Sequence, residues 1–277
     1  MREIGKVSIY IPTHNRVSLL VRAVFSALNQ SYKDIEVIVS DDGSSDTTPH
    51  VIEQLMKVDS RLRYVRSDIA KGANHARNKA IENATGIYVT GLDDDDFFLP
   101  NRIENFVKHY RDDYAFMYSQ RKVISSKGER DSQNFVGRLT LRRLLAKNVV
   151  GNQIFARKEM FELIDGYDVS LSAWQDYDCW VRLLLKHDEA LGLNCVDYVM
   201  DTTHESERIS ASVKALQGAT IFYDKYSEMM TKCQKKTLAS EIFFMKNQSV
   251  GIADAFNLVN KDNYKKIFYN LYKHYVR

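Results

Sequence analysis

The feature that most narrows the fold is a change of period, repeated several times across the first 92 residues. Short β-branched runs, Lys6-Val7-Ser8-Ile9-Tyr10-Ile11-Pro12, Ile35-Glu36-Val37-Ile38-Val39-Ser40, Leu62-Arg63-Tyr64-Val65-Arg66 and residues 87–92, alternate with stretches of helical spacing. Leu19, Leu20, Ala23, Val24, Ala27 and Leu28 mark the first helix. The second opens near Asp46, with Pro49 in its first turn, and runs to about Met56; the third covers residues 73–84. This βαβαβαβ order predicts an open, Rossmann-like, mostly parallel sheet with helices on both faces, whose ligands sit at the carboxyl ends of the strands. Chemistry is therefore expected in Pro12-Thr13-His14-Asn15-Arg16, Asp41-Asp42-Gly43-Ser44-Ser45-Asp46 and Asp93-Asp94-Asp95-Asp96.

Downstream, the pattern gives a helix from Pro100 to about Tyr110, a strand over residues 115–125 with a turn at Ser126-Lys127-Gly128-Glu129, and a short helix over 139–147. A strand at 153–156, a helix at 177–187 and a strand at 194–200 come next. Beyond Ser212 only helical patterns remain, at 214–232, 236–247 and 263–275. Residues 1–210 are thus expected to form a nucleotide-binding and catalytic α/β domain, and residues 211–277 a helical C-terminal extension.

A length of 277 residues and a hydrophobic share of 44% can supply the core such a sheet needs. The formal charge of +3 argues against nucleic acid as a partner. It is unevenly spread: from Glu205 onward there are 12 Lys or Arg against 7 Asp or Glu. Three scattered cysteines fit neither a disulfide framework nor a zinc site, and the expected location is the cytoplasm. No apolar run suggests export or a membrane span, so any membrane contact is expected to be peripheral.

The four consecutive carboxylates behind Leu92 are the strongest chemical signal. In an extended chain Asp93 and Asp95 would share one face and Asp94 and Asp96 the other. Two unit charges 4 Å apart repel by roughly 4 kcal/mol at an effective dielectric of 20, and a divalent cation would remove that cost. A solvated acidic loop or a helix N-terminus is the bland alternative. For Asp41-Asp42-Gly43-Ser44 a plain turn and a carboxylate facing a nucleotide are equally open. In Gln175-Asp176-Tyr177-Asp178-Cys179-Trp180-Val181-Arg182 the residues alone favour a helix N-cap at Asp176 or Asp178 over a general base.

Taken in order, Val7 to Arg16, Ser40 to Asp46, Ala76-Arg77-Asn78 with Gly86 to Val89, Leu92 to Asp96 with Pro100, and Gln175 to Asp178 with Trp180 and Arg182 resemble family 2 glycosyltransferases. These are inverting enzymes of the GT-A fold, and the resemblance spans about Val7 to Ser210. It implies a nucleotide-sugar donor, usually a UDP-sugar, held with Mn²⁺ or Mg²⁺. Asp42 matches the residue that accepts from the uracil ring, Pro12, Thr13 and His14 line the base pocket, and Arg16 belongs to the same donor-side segment. Arg77 or Lys71 would sit near the uridine or its phosphates. Asp93 and Asp95 match the Asp-x-Asp motif, with Asp95 the direct metal ligand and Asp93 or Asp94 nearer the ribose. Asp176 matches the catalytic base. Gln175 stands where Glu is commoner, which puts in doubt any role needing a second charge there.

Two further segments are candidates. Asp201 to Ser210 comes after a strand and is placed to fold over the donor, with His204 or Arg208 reaching the metal or diphosphate; a polar surface loop is the alternative. The tail mixes Phe256, Tyr264, Phe268, Tyr269, Tyr272 and Tyr275 with Lys261, Lys265, Lys266, Lys273 and Arg277. It suits an anionic membrane surface and a lipid-linked saccharide acceptor, or else packing of its aromatic face on the body. The rivals to transfer onto a glycan or lipid-linked saccharide are a sugar nucleotidyltransferase, whose Gly-rich phosphate loop Pro12 to Arg16 lacks, and a catalytically silent nucleotide-sugar-binding subunit.

Overall fold

Strands β1 (Val7–Thr13) and β2 (Ile35–Asp41) are buried along their whole length, which is why they read as nearly continuous apolar runs. The computed structural model describes residues 5–132, 134–204, 213–246 and 250–276. With β3 (Leu62–Arg66) and β4 (Tyr88–Gly91) these two strands form the parallel half of a mixed sheet, in the order β3-β2-β1-β4. Helices α1 (Val17–Leu28), α2 (Thr48–Val58) and α3 (Ala73–Glu82) make the crossovers. Leu20, Ala23, Val24 and Ala27 of α1 are completely buried, as the helical spacing predicts.

Beyond β4 the sheet continues through strands that are less plain in the sequence. After β5 (Phe97–Phe98) and α4 (Arg102–His109) come β6 (Met117–Ser125), β7 (Gly128–Asp131) and β8 (Gly137–Thr140). Next in the chain are α5 (Leu141–Leu144), β9 (Phe155–Arg157), α6 (Lys158–Glu162), α7 (Gln175–Lys186) and β10 (Glu189–Asp201). The order runs β4-β9-β6-β10-β5, and β9 joins antiparallel to both β4 and β6. The short helix expected over residues 139–147 loses its first two residues to the pairing of Gly137–Thr140 with the start of β10, and the helix proper is Leu141–Leu144. That pairing also starts β10 at Glu189, five residues before the predicted strand.

The boundary expected between residues 210 and 211 lies outside the described residues. The first helix after it, α8 (Val213–Tyr226), packs onto the body: Phe222 and Tyr226 are buried with Tyr177 and Trp180 of α7 in one cluster. Phe222 stacks on Tyr177 with centroids 4.2 Å apart. The helix predicted to run to 232 stops at Tyr226, and Thr231 and Gln234 form a capping box that starts α9 (Lys232–Met245). Thr231→Ala is expected to cost about 1 kcal/mol, seen as a lower urea midpoint; an unchanged midpoint would mean that other contacts fix this turn. The last two helices, α10 (Ile252–Leu258) and α11 (Tyr264–Val276), close over a small cluster of Val250, Ala255 and Ile267. The aromatic face of α11 does not pack on the body, for Phe268, Tyr269, Tyr272 and Tyr275 are all exposed.

Candidate active site

β1 and β2 end level, Thr13 opposite Asp41, so the loops after them meet. His14 Nδ1–H donates to the Asp42 carbonyl at 2.8 Å, and Asn15 Nδ2 donates to His14 Nε2 at 3.0 Å. Asn15 takes the left-handed conformation, φ 54°, and its Oδ1 accepts from the backbone N–H groups of Ser45 and Asp46. The Asp42 carboxylate accepts from the N–H of Lys71 at 2.8 Å and of Gly72 at 2.6 Å. This anchors the entry to α3 and leaves each oxygen a further lone pair. Lys71 thus serves through its backbone. Its side chain lines a separate depression with His75 and Lys79, not the pocket that holds the other candidates.

The acidic run is a turn, not an extended segment, closed by the Asp96 N–H donating to the Asp93 carbonyl at 3.1 Å. Alternation of faces therefore does not apply, and each carboxylate has protein partners of its own. Asp93 accepts from Arg77 at 3.1 Å, Gln153 at 3.0 Å and Asn152 at 2.8 Å. Asp94 accepts from Thr13 Oγ1 at 2.8 Å, and Arg16 Nη1 lies 3.3 Å from Asp94 and 2.9 Å from Asp95. His204 Nε2 is 3.1 Å from the same Oδ2 of Asp95. Asp96 accepts from the Tyr198 hydroxyl and from the Asp201 N–H, which makes it an internal brace. Arginines, amides and hydroxyls thus offset part of the repulsion that the sequence leaves to a cation. Burial still pushes Asp94 up to about 6 and raises Asp95, in which the Asp93 charge assists. Gly91 permits the approach of the second loop, because a Cβ there would fall 2.0 Å from Gln153 Oε1.

Neither Asp176 nor Asp178 is the N-cap of α7. That position belongs to Trp174, held left-handed at φ 65°, so the helix begins with Gln175. Asp178 is fully buried and bound by Arg182 at 2.7 Å, Lys225 at 2.8 Å and Tyr226 at 2.8 Å, a structural knot joining α8 to α7. Asp176 is different. It lines the pocket, its Oδ1 is buried without a hydrogen-bond partner among the described residues, and burial, opposed by Arg77, pushes its carboxyl up to about 7. An ordinary aspartate, at about 3.9, would be fully ionised at neutral pH, whereas Asp176 is not.

One pocket of about 1120 Å³ gathers Pro12, Thr13, His14, Arg16, Asp42, Arg77, Asp93, Asp94, Asp95 and Asp176. His204 joins it through Asp95, whereas Arg208 lies outside the described residues. Arg77 is buried, donates to Asn74 and to Asp93, and sits over the Tyr167 ring, so it is fixed between the acidic turn and that ring. No sequence signal points to Asn152, Gln153 or Arg121, single polar residues beside or within strands that carry no motif. Arg121 lines the same pocket.

As a set, buried carboxylates beside a base-sized loop cradle suit binding of a metal–diphosphate and proton abstraction. Comparison with known proteins gives the family. The chain is 33% identical over 273 residues, 94% of its length and 95% of the relative's, to the putative colanic acid biosynthesis glycosyl transferase WcaA of Escherichia coli (strain K12). Its fold matches S. aureus TarS 1-349 in complex with UDP-GlcNAc, with TM-score 0.68 at 18% identity, covering 97% of this chain and 80% of that one. It likewise matches the mannosyltransferase PcManGT of Pyrobaculum calidifontis in complex with GDP-Man and Mn²⁺, with TM-score 0.64 at 19% identity, covering 91% of this chain and 71% of that one. Since the model of Glycosyl transferase family 2 spans residues 8–163, more than half of the chain, the protein belongs to that family of glycosyltransferases.

Proposed function

We propose that the protein is an inverting glycosyltransferase of surface-polysaccharide synthesis, moving a sugar from a UDP-sugar to a hydroxyl of a glycan or lipid-linked saccharide. The observation that carries this reading is Asp176: a carboxylate with an unpartnered, buried oxygen, sharing one pocket with the acidic turn and the β1 and β2 loops. A carboxylate that lines the pocket and is engaged by no internal donor among the described residues is free to accept the acceptor hydroxyl's proton as that hydroxyl attacks the anomeric carbon from the face opposite the leaving diphosphate. One bond forms as the other breaks, which inverts the configuration. Asp42, Pro12, Thr13 and His14 hold the uracil ring, and Arg77 and Asp93 lie beside the ribose.

The donor set fits a hard divalent cation. Asp95 Oδ2 and His204 Nε2 lie 3.1 Å apart, and the Nδ1 of His204 is buried. Among the described residues no group of three or more His, Cys, Asp or Glu is disposed around one point. Mg²⁺ and Mn²⁺ commonly take one or two carboxylates and complete their shell with substrate phosphates. Asp95 with His204 would hold Mn²⁺ or Mg²⁺, which would supply positive charge against the departing UDP, while Asp93 keeps to Arg77, Asn152 and Gln153. The test is a panel of UDP-sugars and GDP-sugars with Mn²⁺, monitored as UDP or GDP release and by titration of the free nucleotides. Saturable UDP binding with release from one UDP-sugar is expected. Binding without turnover on any sugar and acceptor would favour a silent nucleotide-sugar subunit.

The surface of α11 supports a location at the cytoplasmic face of a membrane. No described helix is long and apolar enough to cross a bilayer, yet Phe268 is 54% and Tyr272 62% exposed beside Lys265 and Lys273. Such a surface suits the headgroup region of anionic lipid. In flotation with anionic liposomes the Phe268→Ser, Tyr272→Ser double variant is expected to lose most of the bound fraction. Equal partitioning of both forms would remove the membrane assignment and leave the fold untouched, since neither ring contributes to the core.

A further inference from the structure

We propose that Arg121 binds an anionic group of the acceptor, so that the saccharide glycosylated here is acidic and carries a carboxylate or phosphate near the reacting hydroxyl. The inference rests on the reading of Asp176 as the base, because the acceptor must lie beside that residue. Arg121 on β6 lines the pocket with Asp176, and its charge acts on the Asp176 carboxylate. The residues assigned to the nucleotide come from β1, β2, α3 and the acidic turn instead.

Arg121 lacks what the neighbouring arginines have. Arg16, Arg22 and Arg77 each meet a carboxylate within 3.3 Å, whereas Arg121 has no ion pair or side-chain hydrogen bond among the described residues. Its Nε is buried without a partner, and burial lowers the proton affinity of the guanidinium. Packing holds it in place. Gly151, at φ +100°, leaves the space that Nη1 fills, since a Cβ there would stand 1.9 Å from that atom. The Gly151 carbonyl accepts from Trp180 Nε1 at 3.0 Å, and the Val150 carbonyl accepts from Asn134 Nδ2 at 3.0 Å. The backbone of Arg121 is clamped by Ser132 on both its N–H and its carbonyl. A guanidinium fixed in a partly desolvated wall, with Asp176 and Asp96 near enough to act on it but neither in contact with it, is costly, and an incoming anion offsets that cost. The planar guanidinium matches a carboxylate or phosphate with two parallel hydrogen bonds. Lys127 and Arg130, on the hairpin that lines the same pocket, add two cations without an ion pair of their own among the described residues, while Glu129 between them is paired with Lys122 at 2.9 Å.

The test uses the full chain loaded with UDP and Mn²⁺ and reads binding by calorimetry, independently of turnover. Three probes are compared: a disaccharide ending in glucuronate, its neutral glucose counterpart, and a short-chain isoprenyl diphosphate saccharide. At least one acidic probe is expected to bind about tenfold or more tightly than the neutral one, and its identity separates a uronate from a lipid diphosphate. Arg121→Gln should abolish that preference while leaving the affinity for UDP unchanged, and Arg121→Lys should restore part of it. Equal binding of neutral and acidic probes would overturn the proposal. So would an Arg121→Gln protein that keeps the preference, or one that loses UDP, which would place the residue in the donor site. Failure of the wild-type chain to bind UDP at all would instead overturn the reading of the nucleotide site.

Discussion

Asp176→Asn is expected to lower kcat by about 10²–10⁴-fold while the affinity for UDP stays at the wild-type value. The amide keeps the shape of the side chain but cannot take a proton, so the loss should appear in the chemical step. The same residue sets a pH signature. Burial raises its carboxyl to about 7, so the ionised, proton-accepting form is lost as pH falls through that value. kcat/KM of the wild-type enzyme should therefore fall about tenfold per unit below pH 7, and the residual rate of Asp176→Asn should lack that limb. A near-normal kcat in the variant would reassign the base. A wild-type acid limb centred near the free aspartate value would leave Asp176 as base but show that the loaded site does not maintain the perturbation.

How much of this was legible beforehand depends on the range of the interactions. β1, β2 and α1 were plain because burial imprints itself on successive residues: a fully apolar run, or apolar residues every three or four. That Asp42, Asp93, Asp95 and Asp176 would gather at one pocket was legible through their order along the chain. Their partners were not. Asp95 meets His204 across 109 positions, and Asp93 meets Gln153 across 60, neither of which any local pattern encodes. The cap reading of Asp176 and Asp178 failed for a similar reason: Trp174 takes the special backbone conformation, and the residues that hold Asp178 include Lys225 and Tyr226 on α8. β8 was hidden because its pairing with β10 overrides the helical spacing of its side chains. Arg121 left no trace, since an isolated arginine on a strand reads as solvent-facing until the pocket closes over it.

Asp95→Ala is expected to remove the Mn²⁺-dependent gain in UDP affinity, at least about 100-fold if outer-sphere partners of metals alone are worth 10–100-fold. The geometry makes the sign of the metal-free control informative. In the structure Arg16 Nη1 and His204 Nε2 both point at Asp95 Oδ2, the atom that a cation would also need. Cation and guanidinium therefore compete for one oxygen, and bringing in the metal requires Arg16 to fall back on Asp94, to which it already reaches at 3.3 Å. Deleting the Asp95 carboxylate removes one negative charge from the turn and leaves Arg16 with Asp94 as its single carboxylate partner, so the site is less repulsive to a diphosphate. UDP affinity without Mn²⁺ should then hold or rise as its response to Mn²⁺ disappears. A variant damaged in its fold would lose both, and one that kept its response to Mn²⁺ would show that the cation is held elsewhere, with Asp95 serving only to steer Arg16 and His204.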